Sequence, residues 1–205
     1  QIENLYSNNY LLKLGDRFQP FVDAASKWEA YPVRRQSEFF EHWVSPFLRK
    51  DNKVCVIISD ALRYEIGDEL LSLIRQEDRY SAELEPALTM LPSYTQLGMA
   101  ALLPNKTLAI ADNDTGAVLV DGHSSSGTAN RIKILNAGME GKTATALTAA
   151  DFLAMPREGN NGYRALFSGN DVVYLYHDRI DKVGGDLNSK ERVFDEVEET
   201  LTELV

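Results

Sequence analysis

The sequence predicts an α/β fold, a mostly parallel sheet flanked by helices, on three observations. Two apolar, β-branched runs, Lys53–Asp60 and Asp171–Tyr176, lack polar alternation, the pattern of parallel strands buried on both faces. The first passes almost directly into an amphipathic helix with Leu62, Ile66, Leu70, Leu73 and Ile74 on one face and Glu65, Asp68 and Glu69 off it. Of the 205 residues, 44% are hydrophobic and 25% charged, which supplies a real core and excludes general disorder. A single cysteine, Cys55, excludes an internal disulfide framework, fits a reducing compartment, and is expected to be packed and inert in its strand. No apolar run approaches the roughly 18–20 residues that cross a bilayer, and no basic-then-apolar leader opens the chain, so a cytoplasmic protein without a membrane partner is expected.

Residues 1–50 read as a helical segment. Phe18, Phe21, Val22, Ala25 and Trp28 recur at helical spacing, and a second stripe follows with Phe39, Phe40, Trp43, Val44, Phe47 and Leu48. Both stripes are expected to pack on a neighbouring core, although Pro20 and Pro46 argue against unbroken helices. The α/β domain then spans 51–205. Pro92–Gln96 opens a further helix through Leu103, with Ser93 and Gln96 at capping-box spacing, Ser93 as N-cap and Thr95 as the second helical residue. A short β-hairpin follows, Leu108–Ile110 and Ala117–Val120 around the turn Asn113-Asp114-Thr115-Gly116, within a small insertion over about 107–145. Gly122–Gly127 reads as a surface loop. After the strand ending at His177 comes a polar turn with Gly184-Gly185, then a helix marked by Val193, Phe194, Val197, Leu201 and Leu204 whose opposite face is heavily acidic.

Charge narrows the function. Thirty-one acidic residues against 21 basic ones give a net charge of −10, which disfavours a basic nucleic-acid-binding face and is compatible with a site that holds cations. There is no GxxxxGK[ST], no GxGxxG and no CxxC pair, against a P-loop NTPase, a dinucleotide enzyme and a zinc ribbon.

Ligands of open α/β sheets bind beyond the carboxyl ends of the strands. Both apolar strands end in groups that can ligate a metal: Asp60 after the first and His177 after the second, with Asp181 four residues on. Oxygen donors with an imidazole suit zinc, manganese or magnesium. Taken singly, Asp60 reads as a helix N-cap, His177 as a hydrogen-bonded strand-end histidine, and Asp178 and Asp181 as solvated turn residues. Thr95 at a helix start is either a first-turn hydroxyl or a group facing a phosphoryl anion, nucleophilic only if a metal lowers its pKa. Arg63 could grip a substrate phosphate bidentately or pair with a nearby carboxylate.

Three stretches, Val56–Glu65, Leu91–Pro104 and Tyr174–Asp181, together resemble the PglZ family in the form found in bacterial BREX phage-defence systems. The resemblance implies an alkaline-phosphatase-like α/β fold with a divalent-metal centre, often two zinc ions. It implies that Asp60 is a metal ligand and that Thr95 is the nucleophile and also binds metal. His177 and Asp181 stand at the family's four-residue Asp/His spacing with the residue types exchanged, Gly184 falling where a glycine is expected. The family's later Asp-His-Gly metal motif does not occur in the sequence, and the expectation is a fragment that binds metal weakly and is inactive alone. The implied function is phosphomonoester or phosphodiester hydrolysis in phage defence, on a phosphorylated or nucleotide substrate, with other BREX proteins as partners. The alternative is a catalytically inactive docking scaffold in a defence complex, with the acidic C-terminal helix and the aromatic stripes as contact surfaces. Sulfate-ester hydrolysis is disfavoured, because Cys55 lies in the strand rather than at the nucleophile position.

Overall fold

The computed structural model describes residues 2–113, 115–157, 159, 162–185 and 193–205, the side chains of Val193 and Phe194 excepted. The chain forms two compact units, Gln1–Arg34 and Arg35–Val205. In the first, the segments Ile2–Leu5, Tyr6–Leu11 (a π-helical stretch) and Leu12–Ala24 follow one another without a break, and Pro20 lies inside the last. None of their side chains is buried, and Phe18 and Phe21 are exposed. This corrects the expectation that the first aromatic stripe packs on a core. The second stripe does pack. Phe40, Val44 and Leu48, from the turns Phe40–Val44 and Ser45–Leu48, enter the hydrophobic core of the second unit.

That unit is built on a three-stranded parallel sheet. Strand β1 (Val54–Ser59) leads to helix α1 (Tyr64–Gln76). Helix α2 is Thr95–Ala101, and an antiparallel sheet follows with β2 (Leu108–Ile110), β3 (Val118–Val120) and β4 (His123–Ser124). Helix α3 (Thr128–Ala137) then leads to β5 (Ala144–Thr148). The short helices α4 (Ala149–Leu153) and α5 (Tyr163–Gly169) precede β6 (Val172–His177), and α6 (Arg179–Gly185) and α7 (Val193–Leu204) follow it.

The parallel sheet has the order β1-β6-β5. Its register runs from Val54↔Val172 to Ser59↔His177 on one side of β6 and from Ala144↔Val172 to Thr148↔Tyr176 on the other. Only the central strand meets the expectation of burial on both faces. In β6, Val172 to Leu175 are all buried, whereas β1 alternates, with Val56 and Ile58 buried and Cys55 and Ile57 exposed. An outer strand has only one neighbour in its own sheet and needs a second layer on each face to cover its side chains. Cys55 is accordingly exposed rather than packed, and partial desolvation holds its thiol above the ordinary range.

The expected hairpin is present as β2 and β3, paired Leu108↔Val120 to Ile110↔Val118; Asp114 of its turn lies outside the described residues. The supposed loop after it is more ordered than its composition implies. Asp121 (φ +50) and Gly122 (φ +84) turn the chain into β4, and Ser125 is buried with its hydroxyl donated to the Val118 carbonyl at 2.9 Å. The Asp121 carboxylate accepts from the Lys106 and Thr107 amides and the Thr107 hydroxyl, bonds that hold its pKa below the usual carboxylate value. The Gly184-Gly185 stretch likewise belongs to α6 rather than to an open turn.

One face of the parallel sheet carries Val56, Ile58, Val172 and Tyr174 and is covered by the Leu97 and Ala100 side of α2 and by Ile134 and Leu135 of α3. Tyr174 is fully buried and donates its hydroxyl to the Leu102 carbonyl at 2.7 Å, tying the end of α2 to the centre of the sheet. Close packing also fixes the end of α3, because a Cβ on Gly138 would stand 2.5 Å from Cβ and Cγ of Pro104. Gly138→Ala is therefore expected to destabilise the protein by about 1–3 kcal/mol through overpacking, read as a lowered midpoint in chemical denaturation.

Candidate active site

The parallel pairing of β1 and β6 brings their carboxyl ends to one edge. The ladder continues one residue past β1, with the Asp60 amide donating to the His177 carbonyl at 2.8 Å. Ala61 then takes a left-handed conformation (φ +62), and the Leu62 amide closes a turn on the Ser59 carbonyl at 3.3 Å. Helix α1 begins only at Tyr64, with the extended Arg63 as its N-cap and no side-chain cap. Asp60 is thus not a helix cap. Its Oδ1 accepts from the next amide, Ala61, at 3.0 Å. Arg63 is exposed and has no ion-pair partner among the described residues.

Burial raises the Asp60 pKa above its ordinary 3.8, and the Asp181 and Asp178 carboxylates push the same way. The Ala61 amide and the Arg131 guanidinium oppose them. Asp181 lies in the first turn of α6, which springs from the end of β6. Three carboxylates, Asp60, Asp178 and Asp181, therefore act on one another electrostatically at this edge.

His177 is turned elsewhere. It is only 6% exposed, its Nδ1 lies 2.9 Å from Ser59 Oγ and its Nε2 3.2 Å from Glu203 Oε2 of α7. A carboxylate only accepts, so Nε2 carries a proton, and in the neutral ring Nδ1 accepts from the Ser59 hydroxyl. Both nitrogens are engaged and neither offers a lone pair to a metal in this arrangement. Among the described residues no group of three or more His, Cys, Asp or Glu side chains converges as a metal cage. The oxygen donors Asp60 and Asp181 fit a hard cation, whereas His177 as held here does not.

Glu203 is also bound by Arg179, whose guanidinium pairs with three α7 carboxylates: Nε with Glu196 at 2.5 Å, Nη2 with Glu199 and Nη1 with Glu203. The hydrogen bond to Glu196, followed by the other acidic neighbours, holds the guanidinium pKa up, so Arg179 is a fixed and neutralised cation. The spacing of Glu196, Glu199 and Glu203 along one helix face is visible in the sequence; their common target 17 to 24 residues away is not.

Thr95 is the first residue of α2, not the second, because the extended Tyr94 is the N-cap and no side-chain cap is made at Ser93 or elsewhere. The Tyr94 hydroxyl donates instead to the Gly116 carbonyl at 3.1 Å. Thr95 itself is exposed, at the start of a helix whose other end is bound to Tyr174. Among the described residues no hydrogen bond joins Thr95 to Asp60, His177 or Asp181. Sequence reasoning missed Arg131 of α3. Its Cζ lies 4.5 Å from the ring centroid of Tyr176, and its Nε donates to the Ser125 carbonyl at 3.0 Å.

The raised Asp60 pKa makes a pH-dependent prediction. A carboxyl that titrates higher in the folded than in the unfolded chain costs stability in full above its folded titration range, and the cost vanishes below the unfolded one. Asp60→Asn should therefore melt higher than the wild type at neutral pH, with the gain shrinking as the pH falls to about 3. Added divalent cation should stabilise the wild type and leave Asp60→Asn unmoved, both read by thermal melting.

Comparison with known proteins places these features in a family. A model of the BREX system PglZ alkaline phosphatase-like domain matches residues 39–205, a stretch holding both ends of the parallel sheet, Thr95 and Arg131. The chain is 36% identical over 206 aligned residues to an alkaline phosphatase-like protein PglZ of Bacillus cereus, with all of this chain aligned. It is 38% identical over 208 residues to an alkaline phosphatase-like protein BrxZ of Escherichia coli, with 99% of this chain aligned. It spans 23% of the length of each of these relatives. The strand-end carboxylates and the α2 segment thus lie in a stretch shared along the whole chain with such proteins, and the chain belongs to the PglZ family of alkaline phosphatase-like domains.

Proposed function

We propose that the chain is part of a metal-dependent phosphoric ester hydrolase of bacterial phage defence, with Asp60 at the metal centre and Thr95 as the nucleophile. The observation that carries this reading is the placing of Asp60 with Asp181 and Asp178 at the strand ends, where burial first and the neighbouring carboxylates second raise the Asp60 pKa, and where a cation would relieve the repulsion. Asp60, Asp181 and the Thr95 hydroxyl would hold the ion, zinc above all, with manganese or magnesium also suited to oxygen donors. His177 joins this set only by giving up Ser59 or Glu203. Bound there, a divalent cation supplies positive charge that lowers the hydroxyl pKa and polarises the phosphoryl oxygens.

The chain's own part is positional. Thr95 Oγ attacks phosphorus in line, an O–P bond forms, and the ester P–O bond breaks as the leaving alcohol takes up a proton. Water then cleaves the phosphothreonine, releasing phosphate or a phosphomonoester and restoring the hydroxyl. Arg63, exposed at the start of α1, contributes a guanidinium for the substrate phosphate. The substrate is a phosphorylated small molecule or a nucleotide, and other components of the BREX system are partners. The relatives named as alkaline phosphatase-like are more than four times as long as this chain.

The test uses the intact protein and a nitrophenyl phosphodiester. Turnover should require added divalent metal and fall by roughly a thousandfold or more in Thr95→Ala and in Asp60→Asn. Undiminished turnover by Thr95→Ala would remove it from the nucleophile role. Absence of turnover in the wild type, with partner complexes that survive both substitutions, would favour the docking scaffold.

A further inference from the structure

We propose that Arg131 binds the phosphoryl group of this site beside Arg63, as a preorganised guanidinium that grips the non-bridging oxygens of a phosphoric ester or of the phosphate product. The inference rests on the reading of the strand-end cluster as a phosphoester site and adds to it a residue that is neither in the three family-like stretches nor near them in sequence.

Three observations carry it. The first is position. Tyr176 pairs with Ile58 and with Thr148, one residue short of the Ser59↔His177 pair that ends the ladder, and Arg131 lies against its ring at 4.5 Å. Side chains alternate across a strand, so Tyr176 shares the face of Tyr174 and Ile58, and Ser59 and His177 share the opposite one. The same alternation carries Asp60 back to the Tyr176 face. That face is also the one on which α2, the helix that begins at Thr95, is packed. Arg131 therefore stands with Asp60 and the α2 layer, while His177 faces α7.

The second observation is rigidity. The guanidinium is held from below by the tyrosine ring and from one side by the Ser125 carbonyl, which takes Nε. Ser125 is itself buried and bonded to β3. A guanidinium so held loses little freedom when it binds and can present its two Nη groups as a planar fork, the geometry that matches two oxygens of a phosphoryl group.

The third is charge. Three guanidinium groups lie near this edge: Arg63 is exposed and makes no ion pair among the described residues, and the other two differ in their partners. Arg179 is neutralised by Glu196, Glu199 and Glu203. Arg131 has no carboxylate within ion-pair distance among the described residues, although its charge reaches Asp60. In a chain of net charge −10, an ordered cation kept off the abundant carboxylates and set beside the candidate centre suits an anionic substrate group.

The experiment measures the Kd of inorganic phosphate by calorimetry on the intact, zinc-loaded protein, alongside KM and kcat for the nitrophenyl phosphodiester. Loss of a charge-assisted fork should weaken phosphate about thirtyfold in Arg131→Ala and about tenfold in Arg131→Lys, which keeps the charge but not the planar pair. KM should rise in parallel. Lys133→Ala, which removes the same charge from the same helix, should leave phosphate binding unchanged. Wild-type affinity in a folded Arg131→Ala overturns the assignment of Arg131 and leaves the Asp60 and Thr95 reading standing; should that variant melt below the assay temperature, Arg131→Lys decides alone. A wild type that neither binds phosphate nor turns over the ester overturns both.

Discussion

The register between β1 and β6 is the constraint on which the rest of the site depends. Parallel pairing residue by residue from Val54↔Val172 to Ser59↔His177, prolonged by the Asp60 amide on the His177 carbonyl, brings together two chain segments 118 residues apart. A slip of one residue would exchange the faces of every side chain on β1, sending Asp60 to the α7 side and Ser59 into the core. Such a slip is opposed by Val56 and Ile58, which are buried against the core, and by the β6 residues, which are covered on both sides. The chemistry at the edge is thus held by apolar packing well inside it.

The two faces of the sheet divide the polar work. On one, His177 joins Ser59 to Glu203, and Glu203 joins Arg179, so that α7 is fastened to the strand end by a chain of charge-assisted hydrogen bonds with its acidic face spent on a single guanidinium. On the other, Asp60 lies in the field of Arg131 and of the Asp181 and Asp178 carboxylates. A histidine and an aspartate that are adjacent in the ladder therefore have different environments, because strand geometry turns neighbours in opposite directions.

Much of this was legible in the sequence. Unalternating β-branched runs gave the two parallel strands to within a residue, and the hairpin followed from its turn residues. The motifs around Asp60, Thr95 and His177 carried the family. What local pattern could not carry was strand order: β1 and β6 read alike, yet only β6 has a strand on each side. Nor could it carry the turn at Ala61, whose left-handed backbone separates Asp60 from the helix that it would otherwise cap. The Ser93 capping box failed for a related reason, since Tyr94 anchors the helix start through a carbonyl 22 residues away. The engagement of His177 and the placement of Arg131 both depend on partners in other elements, at separations where periodicity is silent.

Tyr176 links these layers in one more way. Its ring packs on the main hydrophobic core along one edge and supports a guanidinium along its face, while burial raises its phenol pKa and Arg131 opposes that rise. One aromatic ring thus answers to two sets of neighbours. Substitutions in the surrounding core and at the guanidinium will not add independently, because each changes the platform that the other uses. Natural variation there should come in matched sets, and an engineer who repacks the interior for thermal tolerance will be retuning the anion grip at the same time.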